Sequence, residues 1–238
     1  MNILILGYGK MGRSIEKIAT DRGHNIVEII DLGNIDILDS LEPDKIDVAI
    51  EFSQPDAAFE NIMKCMTKGI KVVSGTTGWL DKKQVIEDAC KKNNGSFFYA
   101  SNYSIGVNLF LQLNKYLARI MSDYPQYIPE MTEIHHTEKK DAPSGTAITL
   151  AEDLILENSA IKGWENQAVE DKNTLAITSK REGMVPGTHS LRYISDIDQI
   201  EITHEAFGRE GFALGAVMVA EWIINQTGLL SMNDFLKI

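Results

Sequence analysis

A glycine loop, Gly7-Tyr8-Gly9-Lys10-Met11-Gly12, constrains this chain more than any other segment, because it directly follows the apolar run at 3–6 and opens a helical pattern carried by Met11, Ile15, Ile18 and Ala19. In that setting the G-x-G-x-x-G spacing has a mechanical meaning. The glycines permit a tight turn and the close approach of a pyrophosphate, whose charge is met by the unpaired amides of the helix N-terminus. Asp31 ends the second strand-like run 19 residues after Gly12. An acid in that place accepts hydrogen bonds from an adenosine ribose. The plain alternative is a glycine-rich turn that binds nothing and a solvated Asp. Together the two features favour a dinucleotide site built from Gly7, Tyr8, Gly9, Lys10, Met11, Gly12 and Asp31. Leu32 offers no guanidinium to a 2′-phosphate, which favours NADH. Lys10 and Arg13 are able to reach such a phosphate, so the expected cofactor is NADH or NADPH.

Strand-like runs at 3–6, 26–30, 48–52, 72–74 and 97–99 alternate with helical patterns. That alternation implies an α/β, Rossmann-type, doubly wound parallel sheet. In such sheets ligands collect beyond the C-terminal strand ends. Gly75, Thr76 and Thr77 follow the fourth run and Ala100, Ser101, Asn102 and Tyr103 follow the fifth, so both segments become candidates to border a nicotinamide. Turn chemistry explains them nearly as well. After residue 103 the pattern changes to a long helix at 107–121, a strand ending near His135, a helix after Ser144, and strand-like runs at 174–180, 191–194 and 199–204. These read as a second, α+β substrate domain on an open mixed sheet. The expected organisation is a dinucleotide-binding domain at 1–103, a substrate domain at 104–205, and a segment at 206–238 whose helix at 212–227 packs back onto the first domain.

Charge narrows the ligands. The 34 acidic and 23 basic residues leave a formal net charge of −11, and no basic stripe interrupts it. Nucleic acid is a poor partner for such a chain. An anionic ligand has to be held by local amides or a few placed cations. No run approaches the roughly 18 apolar residues of a membrane span, and no basic lead precedes the first strand, so the expectation is a soluble cytoplasmic protein. Cys65 and Cys90 fall in amphipathic helical patterns and read as reduced, buried residues.

The densest polar stretch is Glu133-Ile134-His135-His136-Thr137-Glu138-Lys139-Lys140-Asp141-Ala142-Pro143-Ser144-Gly145-Thr146, a strand end, a charged loop and a helix start. Ser144, Gly145 and Thr146 present backbone amides and hydroxyls suited to a carboxylate; the alternative is an ordinary helix cap. His135 and His136 point to opposite faces of an extended strand, so no metal site is expected there.

These segments, in this order, resemble the dihydrodipicolinate reductase family over nearly the whole chain. The likeness rests on the glycine loop, Gly75-Thr76-Thr77-Gly78, and Ala100-Ser101-Asn102-Tyr103 with Gly106-Val107-Asn108. Above all it rests on His135-His136, Lys139 and Asp141-Ala142-Pro143-Ser144-Gly145-Thr146, with Glu201-Ile202-Thr203-His204, Phe212-Ala213 and Gly215-Ala216 beyond. The resemblance implies that NAD(P)H reduces 4-hydroxy-tetrahydrodipicolinate, a cyclic imine dicarboxylate, to tetrahydrodipicolinate with loss of water, in lysine and diaminopimelate biosynthesis. It further implies that His135 and Lys139 are catalytic, that His136, Gly145 and Thr146 bind substrate, and that the enzyme is a homotetramer. Two departures affect the cofactor: many members carry one more residue in the glycine loop, and an Arg where Leu32 stands here. A rival reading, an aldehyde dehydrogenase, needs a reactive cysteine on a cleft-facing loop, and neither Cys65 nor Cys90 is so placed. A non-catalytic NAD(H) sensor would leave the stretch from His135 to Thr146 unexplained.

Overall fold

In the computed structural model, which describes residues 1–238, Ile3, Leu4, Ile5 and Leu6 are all buried, as are Val48, Ala49 and Ile50. A strand with no polar face belongs inside a sheet covered by helices on both sides, the situation of a parallel sheet. The strands β1 (Asn2–Leu6), β2 (Asn25–Ile30), β3 (Val48–Glu51), β4 (Lys71–Ser74) and β5 (Ser96–Tyr99) form that sheet, all parallel, in the order β2-β1-β3-β4-β5. Helices α1 (Lys10–Asp21), α2 (Ile37–Ser40), α3 (Pro55–Thr67) and α4 (Lys83–Lys92) connect them. The two-residue period of β1 sorts its side chains: Ile3 and Ile5 join the layer of α1, whereas Leu4 and Leu6 join that of α3 and α4. Cys65 and Cys90 are fully buried in this second layer.

The chain then passes through α5 (Ile105–Met121) into a five-stranded mixed sheet. Its strands are β6 (Ile128–His135), β7 (Gly163–Glu165), β8 (Thr174–Arg181), β9 (Gly187–Ile194) and β10 (Gln199–Ala206), with α6 (Gly145–Glu157) inserted after β6. The order is β10-β9-β6-β8-β7, with β6 antiparallel to β9 and parallel to β8. One face is apolar: Met131, Leu175, Ile177, Leu191 and Tyr193 pack under Phe110, Ala118, Leu150 and Leu154 of α5 and α6. Asn114 of α5 is fully buried and donates to the Leu150 carbonyl of α6 at 2.9 Å.

Beyond β10 the chain returns to the first sheet as α7 (Glu210–Ile223), β11 (Gly228–Leu230) and α8 (Met232–Leu236). β11 pairs in parallel with β5 as a sixth strand, and Ala216, Val217, Ala220, Ile223 and Met232 complete the layer of α1. The helix expected over 212–227 is therefore corrected. It stops at Ile223, the Asn225 and Gln226 amides turning back to the Trp222 and Ile223 carbonyls before the chain extends. The chain divides into two compact units, Met1–Ile105 with Glu210–Ile238, and Gly106–Arg209. No helix is long and apolar enough to cross a membrane.

Candidate active site

In the first unit β2 and β3 flank β1 on opposite sides, so their crossovers diverge and leave a crevice at the C-terminal strand ends. The glycine loop fills it. Gly7 has φ +92°, and a Cβ there would lie 2.3 Å from the Phe52 carbonyl oxygen; one on Gly12 would lie 2.2 Å from the Gly7 carbonyl oxygen. Only glycine lets this loop and α1 close so tightly over β3. Gly9 caps α1 without a side chain, which leaves the first helical amides for an anion. Gly9 and Lys10 are exposed. Tyr8 donates its hydroxyl to Glu16, and the Arg13 guanidinium lies 4.4 Å over the Tyr8 ring.

Beside the loop is a cavity of about 90 Å³ whose lining includes Gly7, Ile30, Asp31, Leu32, Ser53 and Asn61, and a second of about 250 Å³ is lined by Met11, Phe52, Ser53, Gly75, Thr76 and Thr77 among others. A helix N-terminus with uncapped amides, an acid at the end of β2 and an apolar cavity next to it fit a dinucleotide. The segment after β5 divides. Ser101 is exposed and Asn102 accepts the Ser104 amide at 2.9 Å, but Ala100 and Tyr103 are buried. Tyr103 packs its ring on Phe52 and Phe98 and donates its hydroxyl to the Ser74 carbonyl at 2.7 Å. Its side chain supports the sheet edge from within the core.

In the second unit the site grows from strand register. Pro129, Met131, Glu133 and His135 share the buried face of β6. Pairing sets Glu133 between Ser179 on β8 and His189 on β9, and sets His135 beside Arg181. Glu133 is fully buried, and Arg181 Nη2 donates to its Oε1 at 3.1 Å while the Ser144 amide donates to its Oε2 at 3.0 Å. Burial pushes the Glu133 carboxyl up, but the donors from Ser144, Ser179 and Arg181 outweigh it and hold the group below the usual carboxylate range.

Around this anion stand two imidazoles. His135 Nδ1 lies 3.4 Å from Glu133 Oε2, and the His135 and His189 rings meet edge to face at 5.1 Å. Burial depresses both, His189 to about 4, so His189 is neutral at pH 7. Ser144 Oγ caps α6 by accepting the Ala147 amide and also meets His189 Nε2 at 3.1 Å. Ser144 therefore has neither a free amide nor a free hydroxyl for a ligand, which corrects the expected three-residue cradle. Gly145 and Thr146 occupy the first two positions of α6, where the amides have no intrahelical acceptor. Glu133, His135 and His189 bring three metal-ligand atoms within 4.8 Å of one another, but both Glu133 oxygens already accept hydrogen bonds.

The charged loop is clamped from below. Arg181 donates to the Asp141 carbonyl at 2.6 Å and to the Lys139 carbonyl at 3.3 Å. Lys139 Nζ bridges both Asp141 carboxylate oxygens at 2.8 and 2.7 Å, and that contact holds Asp141 below the usual carboxylate range. His136 is half-buried, and its carbonyl accepts the Lys139 amide at 3.1 Å. A Cβ on Gly187 would lie 3.1 Å from His135 Nε2, so glycine keeps the space at that nitrogen open. The chain thus brings His135, Lys139 and the start of α6 to one loop cluster. Sequence reasoning missed Arg181 and His189, and gave no role to Glu133.

A glycine-loop crevice on a parallel sheet and a buried Glu–His–Arg cluster on a mixed sheet, carried by one chain, fit an oxidoreductase of the nicotinamide-dependent class. Two family models match almost end to end, dihydrodipicolinate reductase N-terminus over residues 1–103 and dihydrodipicolinate reductase C-terminus over residues 106–236. The chain belongs to the dihydrodipicolinate reductase family. It is 51% identical to the 4-hydroxy-tetrahydrodipicolinate reductase of Christiangramia forsetii, over 100% of this chain and 98% of that one. It is 32% identical to the protein of the same name from Archaeoglobus fulgidus, over 96% of each. The solved structure of a dipicolinate-bound dihydrodipicolinate reductase from Paenisporosarcina sp. TG-14 has the same fold, with a TM-score of 0.78, 21% identity and 99% of both chains covered. Likeness to an aspartate semialdehyde dehydrogenase from Vibrio cholerae, TM-score 0.53 at 10% identity over 94% of this chain and 98% of that one, is a likeness of fold alone. The aldehyde-dehydrogenase reading fails on chemistry, because Cys65 and Cys90 are fully buried and burial pushes the Cys65 thiol up to about 12.

Proposed function

We propose that this enzyme reduces 4-hydroxy-tetrahydrodipicolinate to tetrahydrodipicolinate in lysine and diaminopimelate biosynthesis, with NADH or NADPH as the reductant. In the net reaction one hydride and one proton enter and one water leaves. The cofactor, when bound, supplies the hydride. Everything else falls to the protein. Gly7 to Gly12 receive the pyrophosphate, Asp31 the adenosine ribose, and the loops at 75–77 and 100–103 frame the nicotinamide end.

The second unit holds the dicarboxylate and moves protons. Gly145 and Thr146 grip one carboxylate with the first amides of α6, and His136 is a further contact. Hydride addition to a conjugated imine pushes electrons onto a ring atom that must then take a proton. His135 is the proton donor or acceptor of the site, working at the nitrogen that faces Gly187, and Glu133 faces its other nitrogen. Lys139 is the second proton donor, and its charge offsets that of the substrate. The observation that carries this reading is the joining of His135, Lys139 and the α6 N-terminus by the Glu133–Arg181–Ser144 network. The enzyme works in the cytoplasm as a homotetramer, and exposed Leu109, Leu113, Tyr116 and Ile120, one apolar face of α5, support burial against another copy.

The test mixes the protein with NADH or NADPH and the freshly made condensation product of pyruvate and aspartate semialdehyde. Substrate-dependent loss of reduced-cofactor absorbance is expected, and the faster cofactor is the preferred one. Tight cofactor binding with no turnover would refute the substrate.

A further inference from the structure

Glu51, the last residue of β3, is fully buried and lies outside the proton-transfer cluster. Its carboxylate accepts four hydrogen bonds, all from uncharged donors. The Ser53 amide and hydroxyl reach Oε1 at 2.9 and 2.6 Å, the Thr76 hydroxyl reaches the same oxygen at 2.7 Å, and the Ser74 hydroxyl reaches Oε2 at 2.6 Å. A buried carboxylate costs several kcal/mol of desolvation, which its four donors offset.

What the charge accomplishes is visible in its donors. Ser53 lines both cavities beside the glycine loop and Thr76 lines the larger one. A hydroxyl has one proton to donate, and Ser53, Ser74 and Thr76 each direct theirs in a hydrogen bond to Glu51. Ser53 and Thr76 are left as hydrogen-bond acceptors toward their surroundings; Asn61 already uses Ser53 in this way, donating to its Oγ at 3.3 Å. The same carboxylate ties the loop after β3 to the end of β4 and the loop that follows, and the carbonyl of Ser74 at that strand end in turn receives Tyr103. The ends of β3 and β4 are thereby fixed to one another by a single buried carboxylate, and the segment after β5 joins them through Tyr103.

We infer that Glu51 is a positioning residue for the dinucleotide, which sets the spacing of the loops after β3 and β4 and makes their hydroxyls acceptors for cofactor groups that donate, ribose hydroxyls and a carboxamide amine. The inference rests on the proposed cofactor site in the first unit. It predicts that the loops lose this arrangement in Glu51→Gln, because the amide would bring donor hydrogens to hydroxyls that now donate.

The experiment compares wild type, Glu51→Gln and Ser53→Ala by calorimetric titration with NADH and NADPH and by steady-state kinetics, with circular dichroism and thermal melting on each. If wild type binds neither reduced cofactor, the cofactor site itself is wrong, and the variants are not at issue. Given wild-type binding, Glu51→Gln is expected to weaken cofactor affinity about tenfold, the loss of one charge-assisted hydrogen bond, while KM for the dicarboxylate changes less than about twofold. A folded Glu51→Gln that melts no lower than wild type and binds cofactor within about twofold of it would overturn the inference. So would a parallel rise in both KM values, the mark of general loosening. Should Glu51→Gln fail to fold, Ser53→Ala decides: weaker cofactor binding at unchanged dicarboxylate KM supports the role, and unchanged cofactor binding refutes it.

Discussion

His189 makes the second unit sensitive to acid in a way that can be worked out in advance. The residue is 5% exposed, and burial, with His135 adding to it and Glu133 opposing it, depresses its pKa from 6.5 to about 4. Well above pH 6.5 the side chain is neutral in folded and unfolded chains, and titration contributes almost nothing. As pH falls below 6.5 the unfolded chain takes up a proton that the folded chain refuses, so folding loses stability. The loss approaches 1.4 kcal/mol per pH unit, reaches about 2 kcal/mol at pH 5 and levels off near 3 kcal/mol below pH 4. Replacing the imidazole by an amide, His189→Gln, removes this titration. At pH 7 the variant forfeits the contact with Ser144 Oγ at 3.1 Å, about 1 kcal/mol. At pH 5 it escapes the larger penalty and becomes the more stable protein by about 1 kcal/mol. Urea melts of both proteins at pH 7, 6 and 5 measure the difference directly. A wild-type advantage that stays constant across these pH values would refute the argument, since every other titrating group is common to the two chains.

Three further outcomes follow from the same geometry. Lys139→Met and His135→Gln each lower kcat about 100-fold or more, the usual contribution of a general acid or base, while circular dichroism stays that of the wild type. Gly187→Ala places a methyl group 3.1 Å from His135 Nε2 and is expected to lower kcat at least about tenfold with the cofactor Kd unchanged; a variant as fast as wild type would mean that this nitrogen does not face the reaction. Leu32 is 81% exposed beside Asp31 at the rim of the smaller cavity, so Leu32→Arg adds a partner for a 2′-phosphate and shifts the ratio of kcat/KM toward NADPH about tenfold, measured with both cofactors.

The parts of the fold legible in the sequence are those whose burial is written locally. β1 and β3 are short apolar runs between turn residues, and runs so brief and so apolar suit the interior of a sheet. β7 and β11 are three residues each, too short for any period to register, and both owe their strand conformation to a neighbour already in place. The end of α7 is hidden for the opposite reason, since Ile224 prolongs the apolar pattern of the helix and only the turn at Asn225 and Gln226 interrupts it.

The site divides along the same line. His135, Lys139, Gly145 and Thr146 lie within a dozen residues of one another and can be read as a single segment. Arg181 and His189 come 46 and 54 residues after His135, and only the register of β8 and β9 against β6 brings them to Glu133. Yet one signal was available for Glu133 itself. On a strand that alternates, Met131 fixes which face is buried, and Glu133 and His135 are in phase with it. A carboxylate on the buried face cannot be left without donors, because an unpaired buried charge costs several kcal/mol. The sequence therefore demanded cations and amides around Glu133 before their identity could be known. The same reasoning applies to Glu51, which ends a run of buried Val48, Ala49 and Ile50 and to which the strand pattern alone assigns no role. An acid inside an apolar period is a request for a network, and in both units of this chain the network joins the loops that the proposed chemistry needs held still.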